Sequence, residues 1–216
     1  MTRVTKNPEI RREELINIAE ELFAAQGYDE TPVSDIVKKA QVAQGTFYYY
    51  FRSKDEILDA IVDRIIYDIA VFLKEQSQRK DINALQKVIN SMQQFSQSNV
   101  EHEGLISYFH QEKNSLLHLK IEEKTQATIV PVFAEMIKQG VDEGLFDTEY
   151  PEKVSLMIFS CWDKLFDARD FASVSFEEKK RLVTAGFSVI ERILGTQKGS
   201  LAAPFVKILE MHHGKQ

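Results

Sequence analysis

Between Gln44 and Tyr50 the chain sets glutamine, glycine, threonine, phenylalanine and three tyrosines in one run of seven residues. Wound into a helix, this run puts Phe47 on the same side as Phe51, four residues on, which turns both rings to a core. Gly45, Thr46 and Tyr49 then lie opposite, with Gln44, Tyr48 and Tyr50 on the flanks. Amides and hydroxyls so arranged suit the edges of nucleic-acid bases. Gln44 can pair bidentately with adenine, and Thr46 can bond a base or pack on a thymine methyl. Gly45 lets the backbone come close. Tyr49 and Lys54 suit phosphate, which positions a protein without reading sequence, and Thr31 at a helix N-terminus suits it too. Packing fits Tyr48 and Tyr50 equally well, and solvated surface charge remains open for Arg52 and Lys54. Arg3 and Lys6 are equally compatible with an arm that has no role.

Such a helix needs a partner to hold it, and residues 28–55 supply one. Thr31-Pro32 reads as an N-cap with proline at the first helical position, followed by inward-facing Val33, Ile36, Val37 and Ala40. Gln41-Val42-Ala43 is the turn before the Gln44–Tyr50 helix, so the two form a helix-turn-helix. Upstream, Leu15, Ile18, Ala19, Leu22 and Phe23 make a helical stripe that starts after Pro8 and stops at Gly27. Downstream, Ser53 and Glu56 fit a capping box that opens a long helix with a stripe from Ile57 to Leu73.

The rest of the chain also has helical spacing and no competing strand pattern. Helices are expected through Leu85–Phe95, near 103–111 and from about Ser115. Pro131 kinks or splits the last of these, and Gly140 and Gly144 mark its frayed end. Two strong helices follow at about 151–170 and 176–194, the first apolar around much of its girth.

Composition narrows the class further. The 216 residues are 44% apolar and 28% charged, enough for a core and a solvated surface. There is no apolar run of bilayer length, no signal-like N-terminus and a single cysteine, Cys161, which is expected as a buried inert thiol; the expectation is a cytoplasmic protein without a membrane partner. The net charge of −6 is uneven: residues 1–54 hold 8 basic and 8 acidic side chains, and residues 55–216 hold 19 and 25. Local basic clusters matter more for phosphate contact than this total.

At Asp35-Ile36-Val37, Val42, Gly45 to Phe51 and Lys54 to Leu58 the chain resembles the TetR family of bacterial transcriptional regulators, over about residues 10–62. Gly140 to Phe146 weakly resembles an element of that family's second domain. The resemblance implies an all-α protein: a three-helix DNA-binding domain with a helix-turn-helix (1–53), then a helical ligand-binding and dimerisation domain (54–216). It further implies a homodimer on palindromic double-stranded DNA. Two departures stand out. The turn, often Gly-Val-Ser in the family, is Gln41-Val42-Ala43, so the serine's contact is not carried over. Tyr50 replaces a common histidine.

Any pocket in the second part would be mostly apolar with a few orienting polar groups, for an unknown and largely apolar small molecule. Tyr108, Phe109, His110, Phe159, Trp162 and Phe166 are candidate lining residues; core or interface packing is the competing reading for each. His102, His110 and His118 recur every eight residues, but they span two helices with no cysteine near, so no metal and no cofactor are expected. The favoured function is a dimeric repressor released from its operator by a ligand. An activator or ligand-free DNA-organising protein is the alternative. A small helical enzyme ranks lower, because no Ser/His/Asp motif, Cys/His pair or phosphate-cradling glycine loop is found.

Overall fold

A computed structural model describes residues 7–165 and 174–213. They form eleven α-helices and one 3-10 turn, with no strand among the described residues. α1 (Pro8–Gln26) starts where Asn7 accepts the Glu9 N–H and proline fills the first helical position, and it ends at Gly27, φ 86°. α2 (Val33–Lys39) and α3 (Gln44–Tyr50) cross it as the helix-turn-helix. Phe23, Ile36, Phe47, Phe51 and Ile57 are almost wholly buried between these helices and the next.

The corner between α2 and α3 closes as a Schellman turn: Val42 N–H bonds the Val37 carbonyl at 3.0 Å and Gln41 N–H bonds that of Lys38 at 3.2 Å. This turn needs one left-handed residue, usually glycine. Here it is Gln41, φ 53°. α8 ends in the same way, with Gly144 (φ 69°) in the corresponding place and Leu145 N–H bonded to the Gly140 carbonyl.

α4 (Lys54–Gln78) follows the helix-turn-helix. Ser53 Oγ accepts the Glu56 N–H at 3.1 Å, and the Glu56 carboxylate takes the N–H of Arg52, one residue further upstream than in the usual capping box. At 25 residues, about 37 Å, α4 reaches both the helix-turn-helix and the helical body beyond. That body contains α5 (Ala84–Glu101), α6 (Glu103–Phe109), the 3-10 turn Glu112–Asn114, α7 (Ser115–Thr128), α8 (Val130–Asp142), α9 (Pro151–Leu165), α10 (Phe176–Ile193) and α11 (Ala202–His213). Pro131 splits the expected long helix into α7 and α8 about Ile129. Residues 166–170 of the expected 151–170 helix lie outside the described residues, as do Phe166, Arg3 and Lys6.

Three features differ from expectation. Gly140 is inside α8, not at a frayed end: a Cβ there would come within 2.0 Å of the Phe146 ring, so the ring's seat requires glycine. Cys161 is half-buried, not enclosed. α11 lies beyond the last expected helix, after a glycine-containing turn. It is capped from outside, by buried Glu191 of α10. One Glu191 oxygen accepts the N–H groups of Leu201 and Ala202, both at 2.9 Å, and the other accepts that of Gly199 at 2.8 Å. Phe205 of α11 then stacks on Phe187, with centroids 4.1 Å apart.

A side chain held at positive φ costs roughly 1 kcal/mol relative to glycine, part of which glycine's greater unfolded-state freedom offsets. Gln41→Gly should therefore stabilise the chain by about 0.5 kcal/mol, read as a rise in the urea midpoint at unchanged slope.

Candidate nucleic-acid interface and effector cavity

α3 buries Phe47 completely and turns its other faces outward. Gln44, Gly45, Tyr48 and Tyr49 are exposed, Tyr49 at 77%, while Thr46 and Tyr50 are half-buried. A Cβ on Gly45 would meet nothing within 4 Å in the chain. The N-cap, Ala43, gives no side-chain bond, which matches the missing turn serine. Arg12 of α1 lies over the Phe51 ring at 5.1 Å, which puts a basic side chain beside the end of α3.

Two expected phosphate residues are corrected. Thr31 is fully buried and is not the N-cap; that position is Pro32. Its hydroxyl donates to the Gly27 carbonyl at 2.6 Å and accepts from the Gln26 amide at 3.2 Å, tying the end of α1 to the start of α2. Lys54 is held inward: its Nζ bonds the Tyr28 carbonyl at 2.7 Å and sits 4.1 Å over the Tyr28 ring. Both contacts suit an ammonium, and they fix it to the α1–α2 loop.

A cavity of about 450 Å³ lies between α4, α5, α6, α7 and α9. Its apolar wall includes Ile65, Ile66 and Ile69 of α4, Phe95 of α5 and Ile106 of α6. Among the expected lining residues, Phe109, His110, Phe159 and Trp162 are on this wall. Tyr108 is a correction: its ring packs on Tyr28 of the α1–α2 loop, with centroids 4.5 Å apart. Sequence reasoning missed the polar side of the wall, formed by Ser98, Asn99 and His102 at the end of α5 with His118, Glu122 and Gln126 of α7. The eight-residue histidine spacing carries that signal, since it sets His102, His110 and His118 on this one wall. Among the described residues no group of three or more such side chains is placed to hold a metal ion.

The cavity and the helix-turn-helix share walls. α6 faces the cavity through Ile106 and Phe109, while Gly104 lies against the Phe23 and Ala24 carbonyls of α1. Past α6, Lys113 pairs with Asp29 at 2.5 Å, and Tyr28 Oη donates to Asp55 at 2.5 Å. Burial and the Asp55 carboxylate push the Tyr28 phenol pKa well up, so it remains a donor. On the other flank His102 Nε2 is 3.3 Å from Glu20 of α1, whose second oxygen is 2.5 Å from Arg64 of α4. α7 buries no residue completely. It is fastened to α4 by Lys120–Asp59 at 2.6 Å and by Lys124–Asp63 one turn on.

The model of the family described as "Bacterial regulatory proteins, tetR family" matches residues 15–61, which cover most of the helix-turn-helix domain. Residues 15–61 are thus a TetR-family helix-turn-helix domain. Over 54 residues it is 44% identical to the uncharacterized HTH-type transcriptional regulator YvdT of Bacillus subtilis, covering 25% of this chain and 28% of that one. Over 62 residues it is 37% identical to the HTH-type transcriptional repressor KstR2 of Mycobacterium tuberculosis, covering 29% and 31%. The matches thus span about a quarter to a third of these relatives. The wider fold is also shared: the crystal structure of RolR with resorcinol superposes with a TM-score of 0.64, at 18% identity, over 91% of this chain and 93% of that one. The helix-turn-helix domain therefore matches at the level of sequence and the helical body at the level of fold.

The His102–Glu20 pair gives the junction a pH signature. The bond to Glu20 raises the His102 pKa above 6.5, against the effect of burial. Burial pushes Glu20 up, but His102 and Arg64 outweigh it and leave the carboxyl below 4.5. A raised histidine stabilises fully below its unfolded value and loses that contribution as pH rises through its folded value; a lowered carboxylate stabilises above its unfolded value and loses it on acidification. The stability gap between wild type and His102→Gln should therefore be widest between pH 4.5 and 6.5 and narrow on either side. Urea unfolding across a pH series measures it, and a gap independent of pH would contradict the pairing.

Proposed function

We propose that this TetR-family regulator is a homodimeric repressor that reads a palindromic operator in double-stranded DNA through α3 and leaves it when a small, largely apolar molecule fills the cavity. One observation carries this reading: the cavity shares α4 and α6 with the DNA-reading domain, so a guest cannot displace those walls without moving the support of α3. Gln44, Gly45, Thr46 and Tyr48 are the base-facing set and Tyr49 the phosphate contact; Arg12 joins them as a basic flank. A homologous repressor, KstR2, and a fold relative crystallised with resorcinol, RolR, support the regulatory sign and the small-molecule arm respectively. Residues 1–53 would act as the reader and 54–216 as the effector and dimerisation unit. No helix among the described residues is long and apolar enough to cross a membrane, which agrees with a cytoplasmic site of action.

The mechanism needs only differential affinity. A dimer places two α3 helices in successive major grooves, roughly 34–36 Å apart. An effector that binds better to a conformer with another spacing lowers operator affinity by that difference, and operator lowers effector affinity equally.

The test is fluorescence anisotropy on DNA flanking the gene, beside random DNA and across a salt series. Selective binding is expected, with log K falling by about 0.9 per neutralised phosphate for each unit of log salt. Gly45→Ala is the sharpest variant, because its methyl touches nothing in the protein itself. It should melt no lower than wild type yet bind operator about tenfold more weakly, roughly 1.4 kcal/mol. Equal, salt-insensitive binding to all DNA would overturn the reading.

A further inference from the structure

The charge on one cavity-lining residue is balanced from the other domain. His102 stands at the α5–α6 corner, on the cavity wall. Its Nδ1 is 2.8 Å from the Ser98 carbonyl and its Nε2 is 3.3 Å from Glu20. Both partners accept hydrogen bonds, so the protonated ring satisfies both at once, and the Ser98 hydroxyl lies 3.4 Å from the same Nδ1. Glu20 does not depend on His102 alone, since Arg64 of α4 also holds it. Glu101 adds negative charge from the end of α5.

The other ionisable groups on this wall are two imidazoles and one carboxylate. His110, whose Nδ1 is 2.8 Å from the Ile106 carbonyl, lies with its ring centroid 4.9 Å from that of His118 on α7. Glu122 accepts the Gln126 amide at 3.2 Å. An anion entering this quarter meets three imidazoles against one carboxylate. The remaining wall is isoleucine, phenylalanine and tryptophan, and a charge interaction is stronger there than in water.

We propose that the effector is an apolar molecule carrying an anionic group, and that it acts by taking His102 from Glu20. This rests on the effector-cavity reading above and adds the ligand class and the point of action. The guest's anion accepts the Nε2–H, and Glu20 keeps Arg64 and so is not left as a bare buried charge. α1 thereby loses its tie to the α5–α6 corner while its tie to α4 remains. A neutral apolar guest would fill the same space without breaking that tie.

Two fluorescent dyes test this on the full chain: anilinonaphthalene sulfonate, and phenylnaphthylamine, which has the same ring skeleton without the sulfonate. Near pH 6, wild type should bind the sulfonate about tenfold more tightly than the neutral dye, a preference of one unit in log K. The preference should fall as pH rises through the titration of His102. His102→Gln should lose the preference and keep its affinity for the neutral dye, which shows the cavity intact. Glu20→Gln, compared with wild type at pH 5 so that protonation of the ring does not rely on Glu20, should bind the sulfonate several-fold more tightly because the internal competitor is gone.

Equal affinity of wild type for the two dyes, or a preference that survives in His102→Gln, would overturn the proposal while leaving the effector cavity standing. Unchanged or weaker sulfonate binding by Glu20→Gln would overturn the exchange with Glu20. No saturable binding of either dye would overturn the cavity reading and this proposal together.

Discussion

α4 has to satisfy two cores with one unbroken helix. Its first turns complete the core around Phe23, Phe47 and Phe51 with Ile57, Leu58 and Ile61, and its later turns wall the cavity with Ile65, Ile66 and Ile69. A helix of this length neither stretches nor shears, because every interior peptide is bonded along its axis. A displacement at one end therefore arrives at the other as a tilt. The orientation of α3 depends on that tilt, since Phe47 and Phe51 bind it to the core between α1 and α4 and nothing beneath it is soft.

The polar contacts around α4 are placed where a tilt would be felt. Tyr28–Asp55 and Lys54 hold its first turn to the α1–α2 loop, and Arg64 reaches Glu20 and Asn17 of α1 two turns later. These bonds link elements that are far apart in sequence and close to the domain junction. Partly buried, charge-assisted bonds of this kind are stronger than surface ion pairs and more selective for geometry. They add directional constraints to the apolar packing of this junction.

Much of the fold was readable because helical periodicity and end signals agree: the Pro8 and Gly27 limits of α1, the Ser53 cap and the Pro131 break all follow from local chemistry. The helix-turn-helix and its outward face were readable for the same reason, since Phe47 and Phe51 fix the wheel. What failed were residues whose neighbours come from elsewhere in the chain. Tyr108 and Phe109 are adjacent, yet one helical step of about 100° sends Phe109 to the cavity and Tyr108 to Tyr28. Ile65 and Ile69 carry the same apolar signature whether they face a side chain or an empty space. Thr31-Pro32 has the composition of a cap, but Thr31 bonds backward to Gly27 because the α1–α2 turn brings that carbonyl within reach. Tertiary placement decides all three, and no local pattern encodes it.

α7 differs from the other cavity walls in what holds it. It has no completely buried side chain, leaves Leu116 and Leu119 largely in solvent, and relies for much of its attachment on two lysine–aspartate pairs at the surface. Exposed pairs contribute roughly 0–1 kcal/mol each and are screened by salt. Few buried apolar contacts and screened ion pairs are the features that lower the cost of local opening, and α7 combines them. In the proposed regulator, occupancy and residence time would thus have separate determinants: the inner wall would set how tightly a guest is held, and the two lysines of α7 how fast it is exchanged.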